Sequence, residues 1–296
     1  MRELTFAAMT SVAAVGLLFS GAVDAAPPIT LVVMDPMAKP LSCDCVGDYA
    51  QRDYEAFADH VRASTGSEVE LHFYESLVTA DKRIERPIDV VIGKDSVVRA
   101  DAAAAGLSMH PVASLTDAAG EVTQRGLIVV RSGNAAQSIQ DLSGYTVLFG
   151  PPEAEEKSLA IEAALSDAGV TIDTSRRRFE ACSEAAVALV DRSDDDPVAA
   201  AISSYAEPLL SGCGNIRKGQ LRVVGQTDPV PFVSVFVRSD LSEAEEARLS
   251  RFSAALHSVA IDPGLIRKLE SLVGFIEYPF ERTATTAGSK KKTVSK

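Results

Sequence analysis

The chain has 296 residues, 46% of them hydrophobic and 24% charged, with a formal net charge of −12 and four cysteines. This is the balance of a globular protein with material for a sizeable core. Its acidity excludes a nucleic-acid-binding surface, which needs a dense basic face.

Residues 1–26, "MRELTFAAMTSVAAVGLLFSGAVDAA", carry an early Arg2, an apolar stretch from Thr5 to Phe19 and small residues up to Ala26. These are the three parts of an export signal, and the apolar stretch is short for a bilayer span. The segment reads as a signal peptide, which predicts a periplasmic chain with no stable membrane insertion after cleavage. An N-terminal anchor is the competing reading. About 270 residues remain, room for two lobes.

"ITLVVM" (29–34) reads as a buried strand, and "RDYEAFADHVRAS" (52–64) as a helix stopped by Gly66. "EVELHFY" (68–74) alternates like a strand, "IDVVIG" (88–93) reads as a fully buried one, and "DSVVRADAAAAG" (95–106) as a helix capped by Asp95 or Ser96. The pattern restarts with strands at 126–131 and 145–150, then a helix over 155–169. A helix over 183–192 follows, then strands at 198–203, 221–226 and 231–238 and a helix at 243–259. Such alternation predicts an α/β fold with helices on the faces of its sheets.

Four blocks, in order, resemble the periplasmic solute-binding proteins of phosphate/phosphite/phosphonate-type ABC transporters. They are "IDVVIGKDSVVRA" (88–100), "IQDLSGYTVLFGPPEAEEKSLAIEAALSDAGV" (139–170), "VAAAISSYAEPLL" (198–210) and "DPVPFVSVFVRSDLSEAEEARL" (228–249). The resemblance implies a two-lobed type II periplasmic binding fold with a mixed, mostly parallel sheet in each lobe. Lobe 1 would comprise 27–125 and 232–282, lobe 2 would be 126–231, and hinge strands would run near Arg125–Arg131 and Val230–Arg238. A small-molecule ligand would sit in the cleft, an ABC permease would be the partner, and the chain would be a monomer. Residues 283–296, with Lys290, Lys291 and Lys292, read as a disordered basic tail.

Ligands of open α/β sheets sit beyond the carboxyl ends of strands, where helix N-termini point backbone N–H groups into the crevice. That rule and the resemblance select Asp35, Tyr49, Tyr74, Lys94, Asp95, Ser96, Glu155, Glu156, Ser204 and Tyr205 as pocket residues. The resemblance also marks a departure. Phosphonate-binding members usually present hydroxyls at the start of the second-lobe helix, whereas this chain has "GPPEAEEKS" (150–158), with Glu153, Glu155 and Glu156. Carboxylates beside a desolvated phosphonate repel it by several kcal/mol, so a simple phosphonate is not expected. Either these residues complement the helix dipole, or they face the cleft and select a cationic, amine-bearing or metal-containing ligand.

No nucleophile elbow, Walker loop or dinucleotide fingerprint occurs, and His60, His72, His110 and His257 show no paired-ligand spacing. Neither an enzyme nor a resident cofactor is expected. An accessory protein of a periplasmic redox or metalloenzyme system, or a ligand-sensing partner of a membrane receptor, is the alternative. Export makes disulfides possible, and pairing within a lobe leaves the lobes free to move. Cys182 with Cys213 is the expected bridge. Cys43 and Cys45, in "LSCDCVGDYAQ" (41–51), read as a second bridge or, in a minority reading, as soft-metal ligands.

Overall fold

A computed structural model describes residues 27–42, 51–117, 120–172, 177–179, 181–210, 214, 216–259, 272–277, 279 and 280. The signal segment, Cys43, Cys45, Tyr49, Cys213 and the basic tail lie outside the described residues.

The order begins β1 (Ile29–Met34), α1 (Tyr54–Thr65), β2 (Val69–Phe73), α2 (Leu77–Arg83), β3 (Val90–Lys94), α3 (Asp95–Ala105) and β4 (Met109–Asp117). A short β5 (Thr123–Gln124) leads to β6 (Gly126–Arg131), β7 (Thr146–Phe149), α4 (Leu159–Asp167) and β8 (Arg177–Arg178). Then come α5 (Cys182–Val190), β9 (Val198–Ser203), α6 (Glu207–Leu210) and β10 (Leu221–Gln226). The chain returns through β11 (Val230–Pro231), β12 (Val233–Arg238), α7 (Glu243–Ser258) and β13 (Leu272–Glu277).

Two mixed sheets result, one per lobe. The first has the order β13-β4-β12-β3-β1-β2 and the second β10-β6-β9-β7-β8. Parallel pairing is confined to β2-β1-β3 and to β9-β7-β8, where successive strands are joined through helices. The remaining pairs are antiparallel. Every residue of β1 and β3 is buried, as befits central strands covered on both faces.

One face of the first sheet packs against α1 and α7. Asp53 caps α1 by accepting from the Ala56 amide, and Gly66 ends it in the left-handed conformation at φ 66°. Phe57 stands edge-on to both Tyr54 and Phe252, with ring centroids 6.3 Å away in each case, and so ties α1 to α7. The opposite face holds Leu77 and Ala80 of α2 and Val98 and Ala102 of α3. Below β1 and β3, the buried Asp89 carboxylate accepts from the Thr30 amide at 3.0 Å, Arg248 at 3.1 Å and Arg238 at 3.3 Å.

The sheets are joined by a minimal ladder in which β5 pairs antiparallel with β11, Gln124 opposite Val230 and Thr123 opposite Pro231. The strands expected to act as hinges, β6 and β12, are interior strands of the second and first sheets. At the second-sheet end the crossing is clamped. The Ser204 amide donates to Arg125 O at 2.9 Å and the Arg125 amide to Ser204 Oγ at 3.0 Å. Gly126 and Thr227 exchange a similar pair, from Gly126 N to Thr227 Oγ1 and from Thr227 N to Gly126 O, both 2.9 Å.

The expected helix over 155–169 is corrected. Glu155–Lys157 forms a separate 3-10 turn, and α4 starts only at Leu159. Ser158, at φ −130° and ψ −95°, breaks the path, and its hydroxyl donates to Ala154 O at 2.8 Å and Pro152 O at 2.9 Å. A side chain that bonds nearby carbonyls competes with helical continuation. Helix α3 in turn starts with Asp95 as its first residue, its N-cap being Lys94.

Asp89→Ala leaves Arg248 buried without its carboxylate, so it should cost about 3–5 kcal/mol in urea unfolding. A loss below about 1 kcal/mol would contradict the role assigned to Asp89.

Candidate functional site

Where the carboxyl ends of β3 and β9 approach the Glu155–Lys157 turn, the two lobes meet through side chains. Lys94, the last residue of β3, forms an ion pair with Glu156, and both are almost fully buried. On the second-lobe side, Ser203, the last residue of β9, donates its hydroxyl to the same Glu156 oxygen, Oε1, at 2.5 Å. Behind Ser203, the Cys182 thiol at the start of α5 lies 3.5 Å from its Oγ, and the Ser203 amide donates to Cys182 Sγ at 3.3 Å. Nearby, the Glu155 amide donates to Ser96 Oγ across the cleft at 3.2 Å.

Apolar contacts accompany the polar ones. Tyr205 stacks on Phe232, with centroids 4.9 Å apart and planes at 25°. A cation stands by each ring, Lys94 at 5.8 Å from Tyr205 and Arg52 at 5.6 Å from Phe232. Met37, in the loop after β1, packs against Tyr205 and Leu209. Arg52 is spent on Asp35, bonded at 2.6 Å, and Tyr54 donates to that same oxygen at 2.6 Å. The other Asp35 oxygen accepts from the Met37 amide at 2.9 Å.

The local sequence explains why Glu156 sits there. The Gly150 amide donates to Lys157 O at 3.0 Å, folding the turn back on the end of β7. Gly126 lies directly beneath, because a Cβ on it would stand 1.8 Å from Glu156 O. Only a residue without a side chain lets β6 and this turn approach so closely.

Burial alone would raise the Glu156 carboxyl, but the Lys94 ammonium, the hydrogen bonds from Lys94 and Ser203 and the more distant Lys157 outweigh it and hold it below its usual range. Glu155 goes the other way. Partial burial raises it, and the Asp95 and Glu156 charges add to the effect against Arg99. Burial opposes the charge on Arg52, yet Asp35 more than offsets that and the pKa goes up. Tyr205 is pushed well up, first by burial and then by Cys182, Glu156 and Asp35.

The structure gathers Lys94, Ser96, Glu155, Glu156 and Tyr205 at one place. Asp95 stands beside them, with one oxygen on Arg99 at 2.6 Å and Oδ2 buried with no hydrogen-bond partner. Asp35 is fully buried and all its bonds serve its own loop. Ser204 is committed to the crossing at Arg125. Tyr74 packs on the α2/α3 face of the first sheet, and its ring contact is with His72. Cys182 is a free thiol rather than half of the expected bridge, its Sγ engaged with Ser203; Cys213, Cys43, Cys45 and Tyr49 lie outside the described residues.

The strand end Ser203-Ser204-Tyr205 is one the strand-end rule points at the crevice, yet the pocket residues selected include Ser204 and not Ser203. Every residue of β9 is buried, so no alternation of polar and apolar residues marks its direction. Arg52 and Phe232 carry no such signal. The pairing of Arg52 with Asp35 spans 17 residues and carries no local signature.

Among the described residues no group of three or more His, Cys, Asp or Glu could hold a metal ion, and no helix is long and apolar enough to cross a membrane. A family profile described as "ABC transporter, phosphonate, periplasmic substrate-binding protein" matches residues 47–278. The chain belongs to this family. Its members are substrate-binding transport proteins, and the periplasm is where the family works.

Solved structures share the fold of this chain at low identity. A binding-protein component of an ABC phosphonate transporter, PA3383 from Pseudomonas aeruginosa, is 14% identical with a TM-score of 0.61, covering 85% of this chain and 82% of its own. PhnD1 from Prochlorococcus marinus, in complex with methylphosphonate, is 14% identical with a TM-score of 0.59, covering 84% and 92%. XAC2383 from Xanthomonas citri, bound to ATP, is 18% identical with a TM-score of 0.59, covering 83% and 90%. No curated protein matches the sequence.

Gly126→Ala drives a methyl group into the Glu156 carbonyl. It should lower stability by about 1–3 kcal/mol, through overpacking, and shift the Lys94 Nζ signal in NMR spectra as its carboxylate partner moves. An unchanged melting temperature and spectrum would contradict the close approach.

Proposed function

We propose that the protein captures a small solute between a lobe of residues 27–125 and 232–282 and a lobe of residues 126–231. It then presents the solute to an ABC permease, and the solute is not a simple phosphonate. Family membership supports the transport role. The observation that carries the ligand class is that the cleft cations are already spent, Lys94 on Glu156 and Arg52 on Asp35.

A phosphonate entering beside Glu156 would meet an ion pair that is already neutralised, with no free cation to offset its own charge. Desolvating an anion without a partner is costly. By contrast, Glu156 Oε2 and Asp95 Oδ2 are buried acceptors without partners. A buried acceptor left unmatched costs about 1–3 kcal/mol, which a solute donor can recover. The cleft therefore selects a neutral or cationic solute that brings N–H or O–H donors, and selectivity comes from which acceptors a wrong solute leaves bare.

A thermal-shift panel of alkylamines, amino alcohols, neutral polyols, methylphosphonate and phosphate tests this. A solute at a hundred times its Kd should add about 2.7 kcal/mol. The amines or polyols should raise the melting temperature and methylphosphonate should leave it unchanged. A shift by methylphosphonate or phosphate alone would contradict the reading.

A further inference from the structure

We infer that Glu156 is a built-in anionic ligand: its carboxylate fills an oxyanion position between the lobes, and a variant lacking it takes a small free oxyanion there. The inference rests on reading the cleft as the ligand site.

The donors to this one carboxylate oxygen come from opposite lobes, the Lys94 ammonium from the end of β3 and the Ser203 hydroxyl from the end of β9. A solute that closes two lobes makes contacts of this kind, since it must bind both to favour the closed state. Here a side chain does so.

Asp35, also fully buried, gives the contrast. Both its oxygens are used, by Met37, Arg52 and Tyr54, all from its own lobe. That is how a carboxylate built only for structure is finished, because leaving a buried oxygen bare is costly. Glu156 bonds through Oε1, while Oε2 is buried and bare. Its donors are arranged around one end of a carboxylate, Lys94 from one lobe and Ser203 from the other.

Cutting Glu156 back to Ala clears one methylene and a carboxylate, room of the order of formate or acetate. It also leaves Lys94 buried without an anion, a state costing about 3–5 kcal/mol. A soluble oxyanion that reaches Lys94 and Ser203 relieves that cost, and nothing relieves it in the wild type because the place is taken. Glu156 thereby determines specificity by exclusion as well as by charge.

The test compares wild type, Glu156→Ala and Lys94→Met/Glu156→Ala by thermal shift in millimolar sodium formate, phosphate and methylphosphonate. Sodium gluconate at equal ionic strength is the reference, its anion being too large for the cleared space. The expected result is a rise of several degrees for Glu156→Ala in at least one small oxyanion and none for the wild type or the double variant. If Glu156→Ala does not fold in gluconate, it is refolded with each salt. Recovery in formate or phosphate, but not in gluconate, supports the inference; no recovery in any salt overturns it. An unshifted Glu156→Ala beside an unshifted wild type overturns this inference alone. A wild type shifted by methylphosphonate overturns the proposed ligand class with it.

Discussion

The arrangement of the cleft depends on one buried ion pair, Lys94 with Glu156, whose partners belong to different lobes. Its strength is easily misjudged. Burying two charges costs nearly as much as their attraction returns, so the net gain over two hydrated partners is small. Breaking it from one side is different, because the survivor stays buried and uncompensated unless the lobes part and let water in. The pair therefore adds little driving force to closure, but it sets the register at which closure is allowed. The Tyr205–Phe232 stack and the Met37 contact supply apolar attraction, with an aromatic pair adding about 0.5–1.5 kcal/mol beyond its buried area.

Backbone constraints bring the pair together. The β5/β11 ladder is two residues per strand, and both Arg125 and Gly126 are tied into hydrogen bonds at its exit. Because Gly126 has no side chain, β6 can lie against the carbonyl of Glu156. The 3-10 turn then aims the Glu156 carboxylate at Ser203 and, across the cleft, at Lys94. Had the α-helix begun at Glu155, as the run of helix-forming residues suggests, the acidic residues would have stood in its first turn as dipole partners. The break at Ser158 turns them to cleft use.

Much of this was legible from residue order. The apolar runs at 29–34, 126–131 and 198–203 are strands with those bounds, because β-branched or Ala-rich apolar runs between turn signals have few alternatives; 221–226 is a strand with its bounds as well, although Arg222 and Gly225 interrupt it. Strand β4, "MHPVASLTD", carries no clear strand signal, since Pro111 and scattered polar residues break its pattern. It is central nonetheless, with β12 on one side and β13 on the other. Helix α2 is short and β13 comes late in the chain; each depends on packing with distant partners more than on local pattern. In the site, the strand-end rule selects Lys94, Ser96 and Tyr205 as pocket residues, and the three lie close to the Glu155–Lys157 turn. The acidic turn stands out by its charge, but its partner does not, because Lys94 and Glu156 lie 62 residues apart.

A carboxylate of the chain itself, Glu156, holds the two lobes in register. Small-angle X-ray scattering of the solute-free wild type and of Lys94→Met tests this. The wild type should scatter as the closed arrangement. Lys94→Met should show a larger radius of gyration, because opening is the way the stranded Glu156 regains water. Superimposable curves for the two proteins would contradict it.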